Sequence, residues 1–414
     1  MKLDNKKTII VGFAFLAINA FWQLYDNIVP LILKYFFNMG DTLAGGIMAL
    51  DNVFALILLP IFGAWSDRVN SRMGKRTPFI LVGTVLSIVF MLLLPAVANR
   101  RSLTMFIIVL LATLVSMSIY RSPAVSLMPD VTPKPIGVIM TLGFIMLFVG
   151  EGKTPNYEPV FISIAVVMAA ALLIIMFMAD ENKMREERIA AEKSWGIAES
   201  EEAGDKSGFG LDAPVKKSLI FLLLSVAFWY MAYNAVTTAF SRYATEMWGM
   251  EGGSFAGALM VASVGALVSF IPVGIISSKL GRKKVILFGV LLLGGSFFTG
   301  TLFIHPNFAV NIVFFLVGVA WASINVNSYP MVVEMCKGSD IGKFTGMYYT
   351  FSMAAQVLTP ILSGWFLEHV GYRTLFPYAV TFCVLAFLTM LMVKHGDNKP
   401  MPYKDKLEAF DVGD

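Results

Sequence analysis

The chain has 414 residues, of which 57% are hydrophobic and only 14% charged, with a mean hydropathy of +0.72. That is more apolar surface than a soluble core of ordinary proportions takes up, so an all-α polytopic membrane protein is expected. The net charge of +4 is small and its basic residues fall in short loops, which argues against a nucleic-acid partner.

In chain order, the first apolar run, Thr8 to Phe37, is too long for a cleavable leader and lacks a small-residue cleavage site, so it is expected to remain as a spanning helix. Further runs of helix length follow at Thr42 to Trp65, Pro78 to Ala98, Leu103 to Met128, Pro135 to Gly150 and Pro159 to Ala179. After a polar stretch a second six appear, at Ser218 to Tyr243, Ser254 to Ser277, Val285 to Phe303, Phe308 to Val333, Gly342 to Phe366 and Leu375 to Val393. The expected organisation is therefore an N-terminal six-helix half over residues 1–179, a solvated linker over 180–217, a C-terminal six-helix half over 218–396 and a polar tail over 397–414. Sorted by connection, 25 of the 32 Lys and Arg lie at the termini, the linker and the even-numbered loops, which predicts that both termini and the linker are cytosolic.

The halves repeat one another. GAWSDRVNSRMGKR after the second helix is echoed by GIISSKLGRKK after the eighth, and substrate is expected between such halves near the bilayer midplane. The repeat also exposes a shortfall: 27 positions separate Asp130 from Tyr157, against 38 from Glu334 to Tyr372. The fifth helix is left with about 16 apolar residues, about 24 Å of helix, short for a core of about 30 Å.

Asp26, inside FWQLYDNIVP, and Asp51 and Arg121 are the ionisable groups that lie deepest in the spans, and intramembrane charges mark function by default. One base with two acids makes at most one ion pair, leaving a carboxylate whose protonation can be coupled to loading. Asn19, Trp22, Gln23, Asp26 and Pro30 recur at spacings of three and four, so they form one stripe on the first helix. Cys336 and Cys383 suggest neither a disulfide framework nor a metal site, and His305, His369 and His395 lie in loops or at helix ends, away from any proton relay.

GAWSDRVNSRMGKRTP resembles the loop signature of the major facilitator superfamily, and with YRSPAVSLMPDVTPKP on the fourth helix it is closer to the sugar:cation symporter branch, namely the glycoside-pentoside-hexuronide family and the related sucrose:proton symporters. The resemblance implies a monomeric transporter of 12 transmembrane helices in two pseudo-symmetric six-helix halves, moving a mono- or disaccharide with a cation by alternating access. It implies that helices 1, 4, 7 and 10 line the central cavity. Their polar and aromatic residues are then the expected substrate contacts: Asn19, Trp22, Gln23, Asp26, Arg121, Trp229, Tyr230, Tyr233, Asn234, Trp321, Asn325 and Asn327. Amides and charges pair hydroxyls, and aromatic faces receive the C–H faces of a sugar. Asp26, Asp51 and Arg121 are expected to couple transport to a proton, with Arg121 competing for the Asp26 carboxylate when the site is empty. By the same resemblance Gly63, Asp67, Arg68, Arg72, Lys75, Arg76, Asp130, Arg282 and Glu334 form a cytosolic gate.

No cofactor is expected beyond the coupling ion. A sodium cage is disfavoured because LDNVFALILLPIFG carries one acid only. A multidrug or metabolite exporter of the same fold is the alternative, kept open by 25 methionines. A membrane enzyme is not expected, since no acyltransferase motif, metal cluster or phosphate loop stands in the sequence. The short loops and termini suggest a bacterial inner membrane.

Overall fold

The computed structural model describes residues 5–69, 71–126, 134–149, 155–178, 213–251, 253–335 and 341–397. Asp130, Cys336, most of the expected linker and the tail beyond 397 lie outside the described residues, as does the side chain of Asp67.

The described chain folds into α1 (Asn5–Tyr35), α2 (Asp41–Met48), α3 (Leu50–Arg68), α4 (Thr77–Asn99), α5 (Leu103–Ser126), α6 (Lys134–Phe148) and α7 (Glu158–Met178), followed by α8 (Ala213–Trp248), α9 (Phe255–Leu280), α10 (Arg282–Thr301), α11 (Phe308–Val333), α12 (Ile341–His369), a 3-10 turn at Tyr372–Thr374 and α13 (Leu375–Leu391). Among the described residues, ten helical stretches are long and apolar enough to cross a membrane, with α2 and α3 counted as one. Helices suit that solvent because every backbone polar group is satisfied within the segment. The hydroxyls do likewise: Thr84 donates to the Ile80 carbonyl and Ser87 to that of Gly83, both one turn back. Large apolar side chains such as Leu147, Phe177 and Phe288 are exposed on the outer surface, where lipid replaces water.

Two elements depart from the sequence expectation. The second helix gives way from α2 to α3 at Ala49, where the Tyr25 hydroxyl donates to the Met48 carbonyl at 3.2 Å. Helix α8 starts five residues inside the expected linker and runs beyond the expected end at Tyr243 to Trp248, so Arg242 lies inside the helix rather than at its edge. Helix α6 has 15 described residues.

Within the N-terminal half, α1 packs on α6 and α7, α4 on α5 and α7, and α3 on α5. The C-terminal half is built from α11 on α9 and α10, and α8 and α10 on α13, with α12 beside α8. The repeat seen in sequence extends to packing. A Cβ on Gly83 of α4 meets the backbone of Tyr120 on α5, and one on Gly289 of α10 meets Ala320 and Ser323 on α11. Each half thus brings the same pair of helices together over a glycine. The halves meet where α1 touches α8, α2 touches α12 and α6 touches α9.

Candidate functional site

Two cavities open between the halves, and Asp26 lines both. The first, of about 270 Å³, takes Asn19, Gln23 and Asp26 from α1, Tyr233 and Thr237 from α8, Ser263 from α9 and Trp321 from α11. Its remaining walls are apolar, including Leu259, Phe270, Phe314 and Val317. The second, of about 190 Å³, is polar: Asp26 and Trp22 from α1, Asp51 and Asn52 from α3, Arg121 from α5, Asn234 and Thr238 from α8, and Gln356 from α12.

The α1 stripe explains how one helix serves both. Asn19, Gln23 and Asp26 turn to the first cavity, and Trp22 and Asp26 to the second. Trp22 is held edge-on by Phe21 and Tyr25, with centroids 5.1 and 5.5 Å apart, and the Arg121 guanidinium lies 5.5 Å from its ring centroid, a cation–π distance. Tyr233 and Trp321 stack at 3.7 Å and 4°, while Tyr230 meets Trp321 edge-on at 5.3 Å. Asn52 donates to the Asp51 carboxylate at 2.7 Å, which orients that acid in the second cavity. The site therefore joins an aromatic plate, side-chain amides and a group of two acids and one base, with one carboxylate shared between the two cavities.

Of the expected substrate contacts, Asn19, Trp22, Gln23, Asp26, Arg121, Tyr233, Asn234 and Trp321 line these cavities. Tyr230 stands behind Trp321. Trp229, Asn325 and Asn327 are not among the lining residues: Trp229 is fully buried in the helical core, Asn325 donates to the Trp321 carbonyl and Asn327 to that of Ser323. Pro30 is buried. Asn52, Thr238, Ser263 and Gln356 were not anticipated. Gln356 carries the same signal as Asp26, a polar group inside an apolar run, but it sits on a helix outside the set that the resemblance singles out.

The loop motif is partly described. A Cβ on Gly63 meets Ser122 Oγ of α5 at 2.9 Å, and Ser122 donates to the Leu59 carbonyl, so α3 and α5 touch there. Ser71 and Gly74 close a tight turn, with the Ser71 hydroxyl donating to the Gly74 carbonyl at 2.6 Å and Gly74 at φ 102°. Arg68 and Arg72 are exposed, and Lys75 and Arg76 are partly buried. In the second copy Arg282 pairs with Glu334, and Gly281, at φ 95°, makes the turn before α10.

Residues 222–411 match the family model described as the Major Facilitator Superfamily. Proton-associated sugar transporter A of Mus musculus is 36% identical over 78 residues, 19% of this chain and 10% of that protein. The Homo sapiens protein of the same name is 38% identical over 55 residues, 13% of this chain and 7% of its own length. The match thus spans about a tenth or less of these relatives. Among solved structures, the peptide transporter POT in complex with sulfate aligns with a TM-score of 0.64 at 14% identity, covering 94% of this chain and 93% of that one. A nucleoside transporter aligns at 0.66, 14% identical, covering 94% and 100%, and a bacterial homologue of the iron transporter ferroportin, in an inward-facing state, at 0.65. Their cargoes differ, so what they share with this chain is architecture. The protein is a helical integral membrane protein with the fold of the major facilitator transporters, and its C-terminal half matches that superfamily in sequence as well.

Proposed function

We propose that this protein is a secondary active transporter, not an enzyme, and that it carries a mono- or disaccharide together with a proton by alternating access. The observation that carries the reading is Asp26, the one residue shared by an aromatic-walled cavity and a charged one. In the first cavity Asn19, Gln23 and Asp26 pair hydroxyls while the Tyr233–Trp321 plate receives a C–H face. In the second, Asp51 and Arg121 set the charge around the same carboxylate, so loading and proton exchange act on one group. The short match to proton-associated sugar transporters supports this substrate and ion.

Under the same reading the chain works as a monomer in a bacterial inner membrane with both termini cytosolic. The α3–α4 turn, with Asp67, Arg68, Arg72, Lys75 and Arg76, and the Arg282–Glu334 pair latch the cytosolic ends of their halves. The second reading, an exporter of apolar metabolites, is favoured by one feature only, the apolar walls of the larger cavity.

Counterflow of labelled sucrose, maltose or glucose in proteoliposomes, with and without a pH gradient, tests the proposal. Wild type is expected to accumulate sugar on an inward proton gradient, and Asp26→Asn is expected to retain exchange but lose gradient-driven accumulation. Normal accumulation by Asp26→Asn sinks the coupling role. No counterflow by wild type with any of the sugars sinks the substrate class.

A further inference from the structure

The resemblance directs attention to the cytosolic loop motif, yet a dense contact between the halves lies on the opposite face, where α1, α8 and α12 end and α2 and α13 begin. Arg242 of α8 is 1% exposed and donates to Asp41 of α2 at 2.6 Å. The other Asp41 oxygen accepts the Tyr372 hydroxyl, and Tyr372 in turn bonds Lys34. Lys34 stands 3.4 Å from Glu246, and Tyr35 donates to that same carboxylate at 2.8 Å. A turn away, the Thr42 amide donates to Glu368 at 2.8 Å. Every one of these bonds joins an N-terminal-half residue to a C-terminal-half residue.

The backbones close in beneath them. A Cβ on Gly45 runs into the Pro360 carbonyl, and one on Gly364 into that of Asp41. Met48 and Pro360 also line the charged cavity, so this contact is the roof of the site rather than a remote surface feature.

We infer that the Asp41–Arg242–Tyr372–Lys34–Glu246 network is the gate of that face, holding the protein closed there and releasing it for loading or discharge on that side. This rests on the alternating-access reading above. The chemistry suits a reversible seal. A buried ion pair adds little stability over well-packed apolar groups, so glue meant to be permanent needs no charges. An ionic seal differs from an apolar one in what opening costs, because its groups return to water instead of exposing bare hydrocarbon. Two cations, Lys34 and Arg242, face two acids, Asp41 and Glu246, so the closed seal is neutral. Loss of Arg242 or Asp41 leaves the other's buried charge uncompensated, which the opened face relieves.

The test needs no substrate. Met353 of α12 lines the charged cavity below the roof; in a background with Cys336 and Cys383 replaced by Ser, Met353→Cys places a thiol there, and a membrane-impermeant maleimide is applied from the sealed face. Arg242→Gln is expected to raise the labelling rate about tenfold or more, consistent with a shift of the closed–open equilibrium when a buried pair is broken. Tyr372→Phe, which removes one hydroxyl and no charge, is expected to raise it by a smaller factor, and it decides the matter if Arg242→Gln does not fold. Unchanged labelling in the folded variants overturns the gate. Because labelling is independent of the cargo, a failed sugar counterflow leaves this result standing, and the reverse also holds.

Discussion

At the scale of the residue, the site turns on how few side chains serve two purposes. Trp321 is one wall of the larger cavity and also the middle of a three-ring group with Tyr230 and Tyr233. Its removal is expected to cost ligand affinity as well as order among those rings. We expect Trp321→Ala to weaken sugar binding by about 1 kcal/mol, roughly fivefold in Kd, read by equilibrium binding or by half-maximal counterflow. Gln23→Ala is expected to weaken it similarly through a lost hydroxyl partner, about 1 kcal/mol. The residues differ in how visible they were beforehand. Asn19, Gln23 and Asp26 announce themselves, because polar groups at spacings of three and four in an apolar run fall on one face. Gln356 and Asn52 have equally plain chemistry but stand on helices 11 and 2, and attention restricted to helices 1, 4, 7 and 10 passes over them. Arg242 was missed for another reason. The expected run stops at Tyr243, so Arg242 stands at its edge and does not count among the deep charges, whereas the helix continues to Trp248 and buries the guanidinium against Asp41.

At the scale of the element, each of the ten stretches long and apolar enough to cross among the described residues falls on a run that hydropathy located, Phe308–Val333 to the residue, because a lipid-exposed backbone has hardly any conformation but helix available to it. What hydropathy does not encode is which helices touch. That is decided by small residues whose neighbours are distant in sequence. A Cβ on Gly318 of α11 meets the backbone of Ala262 and Ala266 on α9, so this pair of helices is held at backbone contact. Gly318→Leu is expected to force the two apart and destabilise the protein by about 1–3 kcal/mol, seen as a lower Tm in detergent. Gly295→Ala, on α10 with nothing within 4 Å of its Cβ position, is the matched control and is expected to leave Tm unchanged or slightly higher, since alanine favours helix by about 1 kcal/mol.

At the scale of the whole molecule, the two cavities draw their walls from both halves, so a bound ligand ties the halves together as well as filling space. Ligand binding is therefore expected to stabilise the folded protein by about 2.7 kcal/mol at a hundredfold excess over Kd, raising Tm in a concentration-dependent way. A sugar that leaves Tm unmoved at concentrations saturating in counterflow would count against its binding to the folded protein. The twofold plan was legible from GAWSDRVNSRMGKR and its echo, and the repeated glycine contacts at Gly83 and Gly289 express it in packing. The junction between halves was not legible, because its members, Lys34, Asp41, Arg242 and Tyr372, lie at four different helix ends and acquire meaning only when the ends are brought together.

That Asp26 belongs to both cavities makes the system reciprocal. Whatever factor a bound proton applies to the affinity for cargo, the cargo must apply the same factor to the affinity for the proton, since both routes around the cycle reach one doubly loaded state. Two unrelated instruments then measure a single quantity. The shift in cargo Kd between two pH values and the protons taken up or released on adding cargo to an unbuffered sample must agree, and in Asp26→Asn both are expected to fall toward zero together.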